Sequence, residues 1–309
     1  MRVVIVGCGY VGLELSRQLA ECDHDVTGVR RSEAGREAIE AVSERIDSGS
    51  ISAARADATD PQSLTSLPDA DAVIFAASSG GRGAKAARAV YVEGLRCVIE
   101  EYGSRETPPE RLVYTSSTGV YGDHDGAWVD EGTAINPTTE KTRVLAEAER
   151  VAVEATTEFG MDGTVARFAG LYGPDRYRLD RYLNGPVTSG YLNMVHRDDA
   201  AGAIRYLLEA DRARDESVLV VDNEPVDKHT FADWLADECG VERPEKQSKS
   251  ERIADGDLSM AATRRIQTSK RCSNDRLRSF GYDFAYPTFR EGYRDAIVSF
   301  RAKKSNSSE

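Results

Sequence analysis

Through the first half of the chain, short apolar runs alternate with stretches in which apolar residues recur every three or four positions. Met1–Val6 reads as a buried strand, and Val11–Glu21 as a helix with Val11, Leu15 and Leu19 on one face. A strand over Asp25–Val29, a helix around Ser32–Ser43, a strand near Ile51–Ala56 and an apolar run at Ala72–Ala77 follow. Next come a helical period over Ala84–Glu101, a strand over Arg111–Thr115, a long helix over Thr138–Phe159 and a sixth strand over Gly163–Phe168. Strands that alternate with helices of this length pair in parallel, and their crossovers are right-handed. The pattern therefore predicts an α/β fold built on a doubly wound parallel sheet.

After about Gly173 the pieces shorten and Gly, Pro and Tyr separate them, which predicts a small carboxy-terminal lobe on the substrate side of the sheet. The expected division is a dinucleotide-binding domain over 1–172, a smaller region interleaved with the sheet over 173–301, and a polar, frayed tail over 302–309. Within the second region Asp198–Ala210 and Lys228–Cys239 read as helices and Val218–Val221 as a strand. The charged, Ser-rich stretch Val241–Thr268 reads as a mobile surface loop.

Composition narrows the function classes. No run approaches the roughly 20 apolar residues that a membrane span needs, and the amino terminus enters its first strand with no leader pattern, so a cytoplasmic protein without membrane contact is expected. Asp and Glu number 52 against 40 Lys and Arg, for a net charge of -12. A nucleic-acid backbone would be repelled, and no basic patch is visible along the sequence. Only eight of the basic residues are lysines, which fits a halophilic surface or a genome rich in arginine codons. The five cysteines and four histidines show no ligand spacing, so no metal is expected.

The sharpest motif is Gly7-Cys8-Gly9-Tyr10-Val11-Gly12, a G-x-G-x-x-G set between the first strand and the first helix. In that place Gly7 permits the tight turn, Gly9 lets the backbone approach a pyrophosphate, and Gly12 lets helix and strand pack closely. The helix amino terminus adds unpaired N–H groups and a positive dipole end. The sheet is thus expected to be Rossmann-type. The end of the second strand reads Val29-Arg30-Arg31-Ser32, and Arg30 stands 18 positions after Gly12, where an acidic residue would select NAD. Arg30 and Arg31 favour the 2'-phosphate of NADP, with NAD the alternative through Glu33. Asp57 is a candidate contact to adenine or a turn residue.

Four further segments bear a family likeness: Leu112-Val113-Tyr114-Thr115-Ser116-Ser117-Thr118-Gly119-Val120-Tyr121-Gly122, then Arg167-Phe168-Ala169-Gly170-Leu171-Tyr172-Gly173-Pro174, then Val195-His196-Arg197-Asp198-Asp199-Ala200-Ala201, and Leu277 to Pro287. With the glycine turn, over nearly the whole chain, these resemble the extended short-chain dehydrogenase/reductases, the epimerases and dehydratases of nucleoside-diphosphate sugars. The resemblance implies that Ser117 hydrogen-bonds the reacting oxygen and that Ala76, Ala77 and Tyr172 border the cofactor. It also implies that His196 and Asp199 lie by the substrate cleft, and that a homodimer forms through the helices starting near Ala84 and Thr138.

The same family uses Tyr-x-x-x-Lys for proton transfer, and here the register puts Thr139 and Arg143 at those positions. Neither is a usable base near neutral pH. Tyr121, Tyr114, His196 and Lys141 remain as stand-ins, with Ser117 and Thr139 as donors to the oxygen. The glycine spacing also departs from the usual G-x-x-G-x-x-G, and Tyr91 replaces the family's common asparagine. Two readings stay open: an NAD(P)-dependent epimerase, dehydratase or oxidoreductase acting on a sugar-nucleotide-like or polyol substrate, or a non-catalytic NAD(P)-binding sensor. Cys272, flanked by Lys270 and Arg271, could be a reactive thiol; the other reading has Ser273 or Asn274 capping a helix that carries Leu277 and ends at Gly281.

Overall fold

A computed structural model describes residues 1–80, 83–256, 258, 263 and 266–306. Seven parallel strands form its sheet: β1 (Arg2–Val6), β2 (Asp25–Arg30), β3 (Ser50–Arg55), β4 (Ala72–Phe75), β5 (Arg111–Ser117), β6 (Asp162–Phe168) and β7 (Glu216–Val220). Their order is β3-β2-β1-β4-β5-β6-β7, the doubly wound Rossmann-type arrangement. All four residues of β4 and four of the five in β1 are buried, because helices cover both faces and a central parallel strand can carry apolar residues on each side. The winding reverses between β1 and β4, which opens a crevice at the carboxyl ends of those strands.

The helices depart from expectation where side chains set their limits. The stretch expected as one helix from Ala84 is Ala84–Arg88, a π-helical turn Ala89–Gly94, then Leu95–Gly103. The wider turn brings Tyr91, Val92 and Gly94 inward together. The long helix runs over Glu140–Thr157, because Thr139 caps it in a reciprocal box with Thr142. A Cβ on Gly163 of β6 would stand 1.9 Å from the Ala152 carbonyl oxygen, so strand and helix touch there through bare backbone.

In the second half, the helix Arg197–Glu209 packs against Tyr10–Glu21, and β7 adds to the edge of the main sheet. A separate apolar cluster gathers Tyr172, Met194, Phe231, Phe289 and Tyr293. The stretch expected as a loop contains structure: Lys246–Gln247 pairs in parallel with Val187–Thr188, and Lys249–Ala254 is a helix capped by Ser248 and Glu251. Residues 257, 259–262, 264 and 265 of that stretch lie outside the described residues. The tail is not frayed at its start, since the last helix covers Arg294–Asn306; residues 307–309 are not described. Among the described residues, no helix is long and apolar enough to cross a membrane, and no group of His, Cys, Asp or Glu is arranged to hold a metal.

One polar network lies inside this core. Arg167 on β6 meets Glu149 of the helix Glu140–Thr157 through Nη2 and Oε2 at 2.8 Å, and both side chains are buried. Ser116 Oγ donates to Glu149 Oε1 at 2.6 Å, and Arg167 Nη1 donates to the Tyr121 hydroxyl at 2.7 Å. That hydroxyl in turn donates to the Asp130 carbonyl at 2.7 Å. Removing one charge of such a pair strands the other in a low-dielectric interior, which costs about 3–5 kcal/mol. Glu149→Gln should therefore destabilise the protein by about that amount, as measured by urea unfolding followed by circular dichroism.

Candidate active site

The glycine turn is built as its spacing requires. Gly7 has φ +86°, and a Cβ there would sit 2.3 Å from Ala77 Cα; only glycine allows the end of β1 to pass the end of β4 so closely. The N–H groups of Gly7 and Cys8 both donate to Val29 O, which ties the turn to β2. The helix Tyr10–Glu21 begins at Gly9 with no capping side chain and no acidic residue in its first turn, leaving its positive end open. Gly12 packs where a Cβ would lie 3.2 Å from Ile5. Val11 is buried in the core, and Cys8 is sealed behind the turn with its thiol pushed up to about 11 by burial. The Tyr10 hydroxyl reaches across the crevice to donate to Pro174 O at 2.9 Å. The bare backbone and open helix end fit a dinucleotide, whose pyrophosphate Gly7 to Gly12 would hold.

At the end of β2, a Cβ on Gly9 would stand 2.6 Å from Arg30 Nη1, and one on Gly35 would stand 2.6 Å from Arg30 Nε. The Arg30 guanidinium thus lies between the turn and the start of the helix Glu33–Ser43. A Cβ on Gly80 would stand 2.4 Å from Arg31 Nη2, so Arg31 reaches over toward the loop after β4. Glu33 is held by Arg36 at 2.5 Å on the outer face of its helix. Asp57 accepts from the N–H and hydroxyl of Thr59, which draws its carboxyl below the ordinary range. It shapes a turn and also borders the crevice, as do Ala76 and Ala77.

Farther along, Ser117 Oγ accepts from Gly119 N–H at 3.1 Å, and its own proton has no acceptor among the described residues, so it can be donated into the cavity. Thr139 differs: its hydroxyl accepts from Thr142 N–H and contacts Thr142 Oγ1, each at 3.0 Å, and serves the helix cap. Arg143 is exposed and borders the cavity.

Tyr121 and Tyr114 are not available as proton carriers. Tyr121 is fully buried in the Arg167 network, and burial raises its phenol well above the ordinary value; burial does the same to Tyr114. Lys141 does face the cavity, with Nζ 6.0 Å from the ring centre of Tyr91, which also borders it.

Tyr172, His196 and Asp199 lie outside the cavity wall, which differs from the placement that the resemblance implied. His196 is buried; its Nδ1 accepts from Asp198 N–H at 3.3 Å and caps the helix Arg197–Glu209. Burial lowers its pKa, against the pull of Asp198. Asp199 accepts from Ala285 N–H and Tyr286 N–H, both at 2.8 Å, and from the Tyr282 hydroxyl, so it pins the segment before the last helices. Tyr172 stacks on Tyr293 with ring centres 4.9 Å apart. Cys272 is buried and its thiol is raised to about 11 by burial, which disfavours a reactive thiolate near neutral pH. Asp275 N–H donates to Ser273 Oγ at 3.0 Å ahead of the helix Asp275–Ser279, and Gly281 follows with φ +102°.

The crevice continues from the glycine turn past Ser117 into the carboxy-terminal lobe as one cavity of about 1910 Å³. Arg30, Arg31, Lys141, Arg143, Arg176, Arg181, Lys228 and Lys270 border it, against Asp57 and Glu140 as the acidic members. A basic interior therefore lies inside a strongly acidic chain. Sequence reading missed it because Arg176, Arg181, Lys228 and Lys270 come from separate loops with no motif, each reading singly as a surface charge. Burial lowers Lys228 to about 8, with Arg181 and Lys249 adding to the effect.

Residues 3–222 match the model of the NAD dependent epimerase/dehydratase family. Protein YeeZ of Escherichia coli K12 is 29% identical over 290 residues, covering 93% of this chain and 96% of its own. The structure of a Methylobacillus flagellatus protein provisionally named a NAD-dependent epimerase/dehydratase is 29% identical with TM-score 0.74, covering 97% of this chain and 98% of its own. A UDP-glucuronic acid 4-epimerase from Bacillus cereus, in complex with NAD, shares the fold at TM-score 0.77 and 16% identity, covering 98% of this chain and 99% of its own.

Just after β7, Asp222 is buried with Oδ2 unpartnered among the described residues, and burial beside Glu224 and Asp199 raises its carboxyl well above the ordinary range. A carboxyl raised in the native state contributes stability below its unfolded value and loses that contribution as pH rises through the native one. Wild-type protein should therefore lose stability relative to Asp222→Asn as pH is raised from 5 to 8. Paired urea titrations at the two pH values check this, and a constant gap would refute it.

Proposed function

The chain belongs to the NAD-dependent epimerase/dehydratase family, and we propose that within it this protein is a cytoplasmic NADP(H)-dependent oxidoreductase or epimerase acting on a sugar-nucleotide-like substrate. The observation that carries this reading is the single cationic cavity that joins the dinucleotide turn to Ser117 and to the carboxy-terminal lobe. A ligand with phosphates at both ends would neutralise its walls. Arg30, set between Gly9 and Gly35, supports the 2'-phosphate form of the cofactor, and the pairing of Glu33 with Arg36 supports it again by occupying the acidic alternative.

When bound, a nicotinamide supplies the hydride donor or acceptor. The chain's own part is to place the substrate oxygen against the Ser117 hydroxyl and to surround the phosphates with cations. Residues 173–301 would form the substrate lobe, and a homodimer through the helices after Ala84 and Thr139 belongs to the same reading. The commitment of Thr139 to its cap favours one rival, a dinucleotide-binding sensor without turnover.

Nicotinamide fluorescence during titration with NADPH and with NADH should show NADPH binding more tightly. Arg30→Asp should weaken NADPH by roughly tenfold or more while leaving NADH little changed. Equal affinities would overturn the choice of cofactor. Turnover of UDP-glucuronic acid or dTDP-glucose separates the enzyme from the sensor.

A further inference from the structure

We infer that Lys270 exchanges a proton with the substrate oxygen during the redox step; the inference rests on the reading proposed above. Lys270 is 7% exposed, yet it borders the cavity. Its Nζ donates to Gly122 O at 3.2 Å, and among the described residues no carboxylate forms an ion pair with it. An ammonium has three N–H groups, so two have no partner among the described residues. A buried amine with no counter-ion is costly to keep charged, and burial lowers the Lys270 pKa, with Cys272 and Asp123 opposing. Neither neighbour competes for the role. The Asp123 carboxylate accepts from Ser269 N–H at 2.6 Å, and burial pushes the Cys272 thiol up to about 11.

The backbone that carries Lys270 is held on both sides. Asn193 brackets it, donating through Nδ2 to Lys270 O at 2.9 Å and accepting Cys272 N–H on Oδ1 at 2.6 Å. Arg271–Cys272 pairs in parallel with Trp128–Val129, and the N–H groups of His124 and Gly126 both donate to Ser269 O at 3.0 Å. Ser117 lies one 3₁₀ turn away along a traceable path: its Oγ accepts from Gly119 N–H, Gly119 O accepts from Gly122 N–H, and Gly122 O accepts from Lys270. The hydroxyl that can hold a substrate oxygen thus caps the start of this turn, and the amine that can protonate it is hydrogen-bonded to the carbonyl at its end.

In the reducing direction, hydride from the reduced nicotinamide forms a C–H bond at the carbonyl carbon, and the π pair of the C=O bond moves to oxygen. A proton leaves Nζ for that oxygen, giving an alcohol, oxidised cofactor and a neutral amine. The oxidation runs through the same atoms in reverse.

The test uses the full chain, reductively methylated with [¹³C]formaldehyde so that each of the eight lysines reports its own titration by NMR, with Lys270→Arg and Lys228→Arg assigning those two signals. The Lys270 signal should titrate below the surface lysines. With UDP-glucuronic acid or dTDP-glucose, Lys270→Arg should lower kcat by about 100-fold or more with KM within about threefold, because arginine keeps the charge and cannot release a proton near neutral pH. NADPH fluorescence confirms that the variant is folded. A Lys270 signal that titrates with the surface lysines overturns the inference, and so does wild-type kcat in Lys270→Arg. If the wild type turns over neither nucleotide sugar, the substrate reading fails separately and the titration decides Lys270 by itself.

Discussion

A carboxylate and a guanidinium that must stay together out of water organise the centre of this protein. Glu149 and Arg167 join the helix Glu140–Thr157 to β6, and their remaining hydrogen bonds enlist Ser116 of β5 and Tyr121 of the following turn. Each group satisfies another that would be costly to bury alone. The result fixes the end of β5, and with it the backbone that presents Ser117. The tyrosine of the Val-Tyr-Gly segment is therefore a structural strut, although its place beside Ser117 suggests chemistry.

The site follows a similar economy. Thr139 stands where a proton-transferring phenol would be expected, but its short hydroxyl closes the helix end. His196 and Asp199 stand where substrate contacts would be expected, but one caps a helix and the other gathers N–H groups from the segment that closes over it. Polar groups at the ends of elements satisfy backbone first. The groups that face the cavity keep a proton or a charge beyond any such duty: Ser117, whose oxygen accepts from Gly119 N–H while its proton is unspent, with Lys141, Arg143 and the basic residues of the lobe.

This division explains what could be read from the chain. Strand and helix order was legible because buried parallel strands are continuously apolar and helices carry a 3.6-residue period. The glycine turn was legible because its spacing is a steric requirement, seen at Gly7 against Ala77. The π turn at Ala89–Gly94 was not, since its residues fit an ordinary helix equally well. Lys270 escaped notice as a site residue for another reason. Gly122, whose carbonyl it meets, is 148 positions away, and the lysine's own backbone is held by Asn193 from a third segment.

The placement of charge has a kinetic consequence. A chain of net charge -12 repels a polyphosphate at long range, whereas the cations of the cavity act only once it has entered. Ions shorten the reach of the outer field to roughly 10 Å or less above 0.1 M, while contacts inside the crevice are screened much less. Added salt should therefore speed the capture of an anionic ligand before it weakens its retention, the reverse of the usual order for a basic binding site.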